Sequence, residues 1–260
     1  MIQETIPTAM NLDPGKLLRY TPEDGDAKNL TRYYTLPGSS FKMRSITSIL
    51  GSTINKPGLN RWRENLIRGN LDPNTVAAES AETGTRLHAT IEGLLKGYET
   101  TIAPDLEPAI NAFFKWREKD PLDFIQSEVA VYQDVLPEVL SVAGTVDGLF
   151  RATGGAEDGS LIITDFKSSS SGIYAESILQ VAAYACAMFD MGCHDHVSGR
   201  IVSFQKRKGT QEFTGVVNVA TIPFDSLNAW PQAWDGTVTL YSALKMKVDY
   251  NELYLQCYIR

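Results

Sequence analysis

The chain has 260 residues, a formal net charge of −7, and 43% hydrophobic against 21% charged residues, a balance that allows one sizeable buried core. No segment approaches the roughly 20 consecutive apolar residues of a membrane span, the opening MIQETIPTAM lacks the basic-then-apolar order of a secretory leader, and three cysteines without a Cys-x-x-Cys pair give neither a disulfide framework nor a zinc knuckle. A soluble protein of the reducing cytoplasm is expected, and its acidity argues against a broad phosphate-binding surface while leaving room for a focused one.

Residues 1–40 are rich in Pro, Gly, Asp and Thr with little periodicity, and read as an irregular arm ahead of a single domain over 41–260. A helical part of that domain, about 57–119, opens with helices over 57–68 and 73–98, the second started by Asp72-Pro73-Asn74 with proline at its first position. Within it, Gly84–Leu95 (GTRLHATIEGLL) places Leu87, Ile91, Leu94 and Leu95 on one stripe, and His88 and Glu92, four residues apart, on an adjacent face. A further helix over 104–119 carries Ile110, Phe113, Phe114 and Trp116. A core over about 124–220 follows, with strands at 124–134, 141–150 and 160–167, a helix at Ile173–Met188, and strands at 199–205 and 212–220. The C-terminal part, 223–260, is helical over 223–247, and there is no internal repeat or low-complexity tract. This order suggests an α/β (α+β) domain with a mixed central sheet flanked by helices.

Chemistry concentrates in Ser141–Phe150 (SVAGTVDGLF) and Ser160–Ser168 (SLIITDFKS), two apolar, β-branched strands. Joined by a turn, they bring Asp147 and Asp165 to one sheet edge, where paired carboxylates repel unless a cation lies between them, which favours a divalent metal with hard oxygen ligands. The strand period of two turns Lys167 to the same face as Asp165. An ammonium beside such a metal points to phosphodiester hydrolysis, with Lys167 orienting or activating the attacking water. Taken alone, Asp-x-Lys describes a surface ion pair on a hairpin equally well. His88 supplies an imidazole that suits manganese as well as magnesium chemistry, although by itself it also fits a core histidine with Glu92 on a solvated face. Zinc-protease chemistry is excluded, because its His-Glu-x-x-His motif needs a second histidine that this helix lacks.

Gln180 and Tyr184 share a face of the alanine-rich helix and are its only bulky polar groups among Ala182, Ala183, Ala185 and Ala187. They are placed either to reach DNA or the lysine, or to serve as a helix-surface amide and a core aromatic. Positive charge gathers at Arg61-Trp62-Arg63 and at Lys206-Arg207-Lys208, the latter followed by Gly209 at an expected hairpin tip. Both clusters suit a nucleic-acid backbone, with Trp62 able to stack a base, and both also suit a solvated surface.

In order, His88, Asp147, Asp165-Phe166-Lys167 and Gln180-x-x-x-Tyr184 resemble the RecB-type branch of the PD-(D/E)XK nuclease superfamily, and within it the mitochondrial genome maintenance exonuclease group and its bacteriophage relatives. Ser45–Leu50 (SITSIL) and Gly84-Thr85-Arg86-Leu87-His88 share in the likeness, which covers roughly residues 45–220 and is specific as an ensemble. The resemblance implies a restriction-endonuclease-like core and a Mg²⁺- or Mn²⁺-dependent DNA exonuclease acting from single-stranded ends in recombination, replication or repair. It implies His88, Asp147, Asp165 and the Phe166 backbone carbonyl as metal ligands, Glu92 as a further ligand or a support behind them, and Lys167 as the assistant of the attacking water. Gln180, Tyr184, Lys206, Arg207, Lys208, Arg61 and Trp62 are the candidate substrate contacts, and the phage-encoded members point to a phage origin. Branch members with an iron–sulfur cluster need four cysteines, whereas this chain has Cys186, Cys193 and Cys257, so no cluster is expected. An endonuclease of the same superfamily and a non-catalytic nucleic-acid-binding protein are the alternatives. The second is disfavoured because every polar site position holds a chemically competent residue.

Overall fold

A computed structural model of the chain describes residues 18–20, 33–36, 38, 42–133, 141–193, 195–223 and 229–245. Its elements run β1 (Leu18–Tyr20), β2 (Tyr33–Thr35), β3 (Met43–Ser45), α1 (Ile46–Thr53), α2 (Pro57–Arg68), α3 (Pro73–Leu95), α4 (Glu107–Lys119), β4 (Leu122–Gln133), β5 (Val142–Ala152), β6 (Leu161–Ser169), α5 (Ala175–Asp190), β7 (Val197–Lys206), β8 (Phe213–Ile222) and α6 (Ala229–Lys245). This is a mixed α/β architecture built on one eight-stranded sheet. Neighbours follow the order β1-β2-β3-β5-β6-β7-β8, with β4 also paired to β5. Two of the ladders, β3 with β5 and β6 with β7, are parallel.

The sheet forks at β5. Strand β4 pairs with β5 antiparallel along its whole length, from Gln133↔Val142 to Leu122↔Ala152. A strand edge accepts one partner at each position, so β3 and β6 share the other edge. β3 takes its start, at Val142 and Ala143, and β6 takes its end, from Gly148 to Arg151. Between them Gly144 to Asp147 face a gap, and that gap positions the site.

Alternation on the strands covers both faces of the sheet. On β6, Leu161 and Ile163 join α1, α5 and α6 in one core with Ile46, Leu50, Tyr184, Met188 and Trp234. Ile162 and Phe166 face the other way and join α3 and α4 in a second core with Leu87, Ile91, Phe113, Trp116 and Phe204. Burying any one of these large side chains is worth about 1.5–3 kcal/mol, so the two helical layers hold the sheet from both sides.

Helix ends follow local chemistry. Asp72 caps α3 by accepting from the backbone N–H groups of Asn74 and Thr75 at 3.2 and 3.1 Å. The helix stops at Leu95, short of the expected residue 98, because Gly97 takes a φ of +71° and the Tyr98 N–H returns to the Gly93 carbonyl. Inside the stretch expected as an irregular arm, β1 and β2 extend the sheet antiparallel from β3. Strands of three residues are too short for alternation to show in a sequence. Residues 1–17, 21–32, 37, 39 and 40 of the arm, and residues 224–228 and 246–260 of the expected C-terminal helical part, lie outside the described residues. Among the described residues no helix is long and apolar enough to cross a membrane.

Candidate active site

Asp147 occupies the fork. Ladder pairing between β5 and β6 ends at Gly148↔Thr164, while β6 stays paired to β7 as far as Ser169↔Gln205. With no β5 carbonyl opposite it, the Phe166 N–H donates to Asp147 Oδ2 at 2.8 Å. In an extended strand the N–H and C=O of one residue point to the same side, so the Phe166 carbonyl also faces the gap. The sequence reading puts Asp147 and Asp165 at one sheet edge; in the structure β5 and β6 are interior strands, and the two acids stand where these strands splay apart.

Asp165 is 1% exposed. Its Oδ1 accepts from Lys167 Nζ at 2.8 Å and from Gln180 Nε2 at 2.9 Å, while Oδ2 is buried without a hydrogen-bond partner. Lys167 also donates to Gln180 Oε1 at 3.3 Å, and Gln180 Nε2 donates to the Tyr184 hydroxyl at 2.8 Å. One amide thus holds the acid, the ammonium and the phenol in a fixed relation. Burial pushes the Asp165 carboxyl up to about 6, against the pull of Lys167 and with the push of Asp147. For Lys167, burial favours the neutral amine, but Asp165 and Asp147 outweigh it and keep the ammonium. Burial raises Tyr184 well above the ordinary phenol value, so it acts as a neutral group.

His88 reaches the same point from α3, with Nδ1 3.5 Å from Asp147 Oδ1. Burial opposes its protonation, yet the neighbouring Asp147 overrides burial and raises its pKa. Glu92 lies one turn further along α3. It accepts from Lys96 within the helix and lies 3.4 Å from Ser127 Oγ on β4. A carboxylate that sequence reasoning missed stands closer. Glu128, with a φ of +52°, falls between the registered pairs Ser127↔Gly148 and Val129↔Val146, opposite Asp147. Burial, then Asp147 and Glu92, raise its pKa. Only strand register puts it there, and the segment Ser127–Gln133 (SEVAVYQ) carries no signal of that register.

Among the described residues no three His, Cys, Asp or Glu side chains lie close enough together to hold a metal ion. The oxygens about the fork are hard donors: Asp165 Oδ2, buried without a hydrogen-bond partner, the Asp147 carboxylate that accepts from the Phe166 N–H, and the Phe166 carbonyl on the same side as that N–H. A buried carboxylate oxygen with no donor beside it suits a divalent cation of the Mg²⁺ or Mn²⁺ type.

The two basic clusters fare differently. Lys206 is 4% exposed and donates to Ser80 Oγ of α3 at 3.3 Å and Gln211 Oε1 at 2.8 Å, and burial lowers its pKa. It fastens the β7–β8 hairpin to α3 instead of facing outward. Arg207 forms an exposed pair with Glu212 at 3.2 Å, and Lys208 is exposed at the tip. On α2 no residue is buried; Arg61 and Arg63 are exposed and Trp62 is half-buried. Cys186 and Cys193 are free thiols, and Cys257 lies outside the described residues. Comparison of the sequence with protein-family models and with curated proteins finds no match.

Proposed function

We propose that this chain is a Mg²⁺- or Mn²⁺-dependent deoxyribonuclease of the PD-(D/E)XK type that degrades DNA from single-stranded ends. The observation that carries the proposal is the fork itself. Asp147 stands on one splayed strand and Asp165 and Lys167 on the next, with Gln180 joining acid, ammonium and Tyr184 from behind. Neighbouring acids beside a retained ammonium serve phosphodiester hydrolysis better than they serve stability, since burying Asp165 costs free energy that an apolar residue would not.

Asp147, Asp165 and the Phe166 carbonyl hold the cation, and His88 steadies Asp147 or joins the ligand set. When bound, the cation supplies Lewis acidity to a phosphoryl oxygen and lowers the pKa of water. Lys167, beside Asp165, donates hydrogen bonds and so orients or helps to activate the attacking water. Gln180 fixes the Asp165 carboxylate through Oδ1, and Oδ2 is the oxygen left without a hydrogen-bond partner. The working compartment is the cytoplasm, and the process is DNA recombination, replication or repair.

The test is digestion of end-labelled linear and covalently closed single-stranded DNA with Mg²⁺, Mn²⁺ or EDTA. Linear strands are expected to shorten from an end with either metal, and the circle to survive. Cleavage of the circle at a similar rate identifies an endonuclease, and binding without cleavage under all conditions identifies a non-catalytic protein.

A further inference from the structure

Tyr174 is a large aromatic side chain, 55% exposed, at the N-cap of α5. That helix carries Gln180, whose amide touches Asp165. Tyr174 stands six residues before Gln180, about 9 Å along the helix, or two to three nucleotides at ~3.4 Å each. Its backbone is fixed, because its carbonyl accepts from the Ser177 N–H at 3.0 Å. The ring is therefore presented outward from a rigid turn beside the site.

Helix α2 is fastened to the same turn. Lys56, at the N-cap of α2, pairs with Glu176 at 2.8 Å, two residues after Tyr174. None of the α2 residues is buried, and its stretch holds Arg61, Arg63 and Arg68 against Glu64. All three arginines are exposed, and among the described residues none pairs with a carboxylate. In a chain of net charge −7 this is a helix of net charge +2, with Arg61 and Arg68 flanking Glu64 on one side and Arg63 on the other, tied by Lys56 to the turn that carries an exposed aromatic ring. Charge of that sign at that place fits a polyanion, and a ring free on its face fits an unpaired base; bases inside a duplex already stack on their neighbours.

We infer that Tyr174 and the outer face of α2 form the seat of the single strand next to the hydrolytic site. Tyr174 stacks one unpaired base, and Arg61 and Arg68 hold phosphates that follow. The inference rests on the nuclease proposal and deepens it: selectivity for unpaired DNA resides in this seat, outside the Asp147–Asp165 fork.

The experiment is fluorescence anisotropy of a labelled single-stranded oligonucleotide and of the matching duplex, in EDTA so that nothing is cut. Tyr174→Ala is expected to weaken single-strand binding about tenfold and to leave duplex binding within about twofold, and Tyr174→Phe to bind single strands as the parent does. Replacing Arg61 and Arg68 together by alanine, which an exposed helix tolerates well, is expected to weaken binding and to flatten the slope of log K against log salt by about 1.4. Parental affinity in Tyr174→Ala, an equal loss for duplex, a loss in Tyr174→Phe as large as in Tyr174→Ala, or an unaltered salt slope in the arginine variant would overturn the inference. Because binding is read without turnover, a chain that binds through this seat but never cuts defeats the nuclease proposal alone. A chain that cuts but binds equally well without Tyr174 defeats this inference alone.

Discussion

Gly144 lies directly against the ring of Tyr184: a Cβ at Gly144 would stand 2.7 Å from Tyr184 Cε1 and 3.3 Å from Ile46 Cδ1. The missing side chain lets the ring rest on β5, three residues before Asp147, with its hydroxyl at the Gln180 amide. A methyl group at Gly144 has to move the ring, and through Gln180 it disturbs Asp165 and Lys167. Gly144→Ala is therefore expected to lower kcat by about tenfold or more with little change in KM for DNA. In a Tyr184→Leu background the same substitution should add less than about twofold, since the obstructing ring atoms are gone. Full additivity in that double-mutant cycle would mean that Gly144 acts elsewhere.

His88 reaches Asp147, with Nδ1 3.5 Å from Oδ1. Its removal should weaken the response to Mn²⁺ more than to Mg²⁺, because an imidazole contributes more to the softer ion. Titrating activity of His88→Ala with each metal checks this. Identical half-saturation for both ions, compared with the parent, would leave His88 a packing residue of α3.

Stability should depend on pH through Asp165. Its folded pKa, about 6, lies above the ordinary 3.8, so the folded state holds the proton more tightly than the unfolded chain. The resulting stabilisation is complete below the ordinary value and is lost as pH rises through about 6, on the order of 3 kcal/mol. His88, also raised, adds a loss of the same sign above its ordinary 6.5. In EDTA, Tm of the parent should fall between pH 5 and 8 by more than that of Asp165→Asn, and added Mg²⁺ should recover part of the loss at the upper end. Parallel pH curves for the two proteins would contradict the buried, ionising carboxyl.

The β7–β8 tip separates holding from folding. Lys206→Ala should lower Tm, at a cost of about 1–2 kcal/mol, because the bonds to Ser80 and Gln211 go with it. Replacing Arg207 and Lys208 by alanine should leave Tm nearly unchanged while reducing DNA affinity and its salt dependence. Thermal melts and binding isotherms of both variants distinguish the roles, and a large loss of Tm in the Arg207/Lys208 variant would contradict the division.

What could be read from the sequence followed periodicity. Helix α3 shows through its 3.6-residue apolar stripe, β5 and β6 as apolar, β-branched runs and α5 through its composition, and Asp147, Asp165, Lys167, Gln180 and Tyr184 fall on these elements at spacings that fix their faces. The fork was not legible, because it arises where β3 and β6 share one edge of β5, and pairing between distant segments leaves no local mark. Glu128 was missed for the same reason. Lys206 read as part of an exposed basic run, yet the bulge between Phe204 and Lys206 turns it inward toward Ser80. Glu92 shares a helix face with His88, and the structure adds its contacts to Lys96 and Ser127.

The central claim is that the fork hydrolyses phosphodiester bonds with a divalent cation held by its carboxylates. The most direct measurement compares the parent with Asp165→Asn on end-labelled linear single-stranded DNA, in Mg²⁺, Mn²⁺ and EDTA. The parent should release short products with either metal and none in EDTA. Asp165→Asn should retain its cooperative fold and lose activity by at least about a hundredfold. Undiminished cleavage in EDTA, or near-parental cleavage by Asp165→Asn, would contradict the proposal.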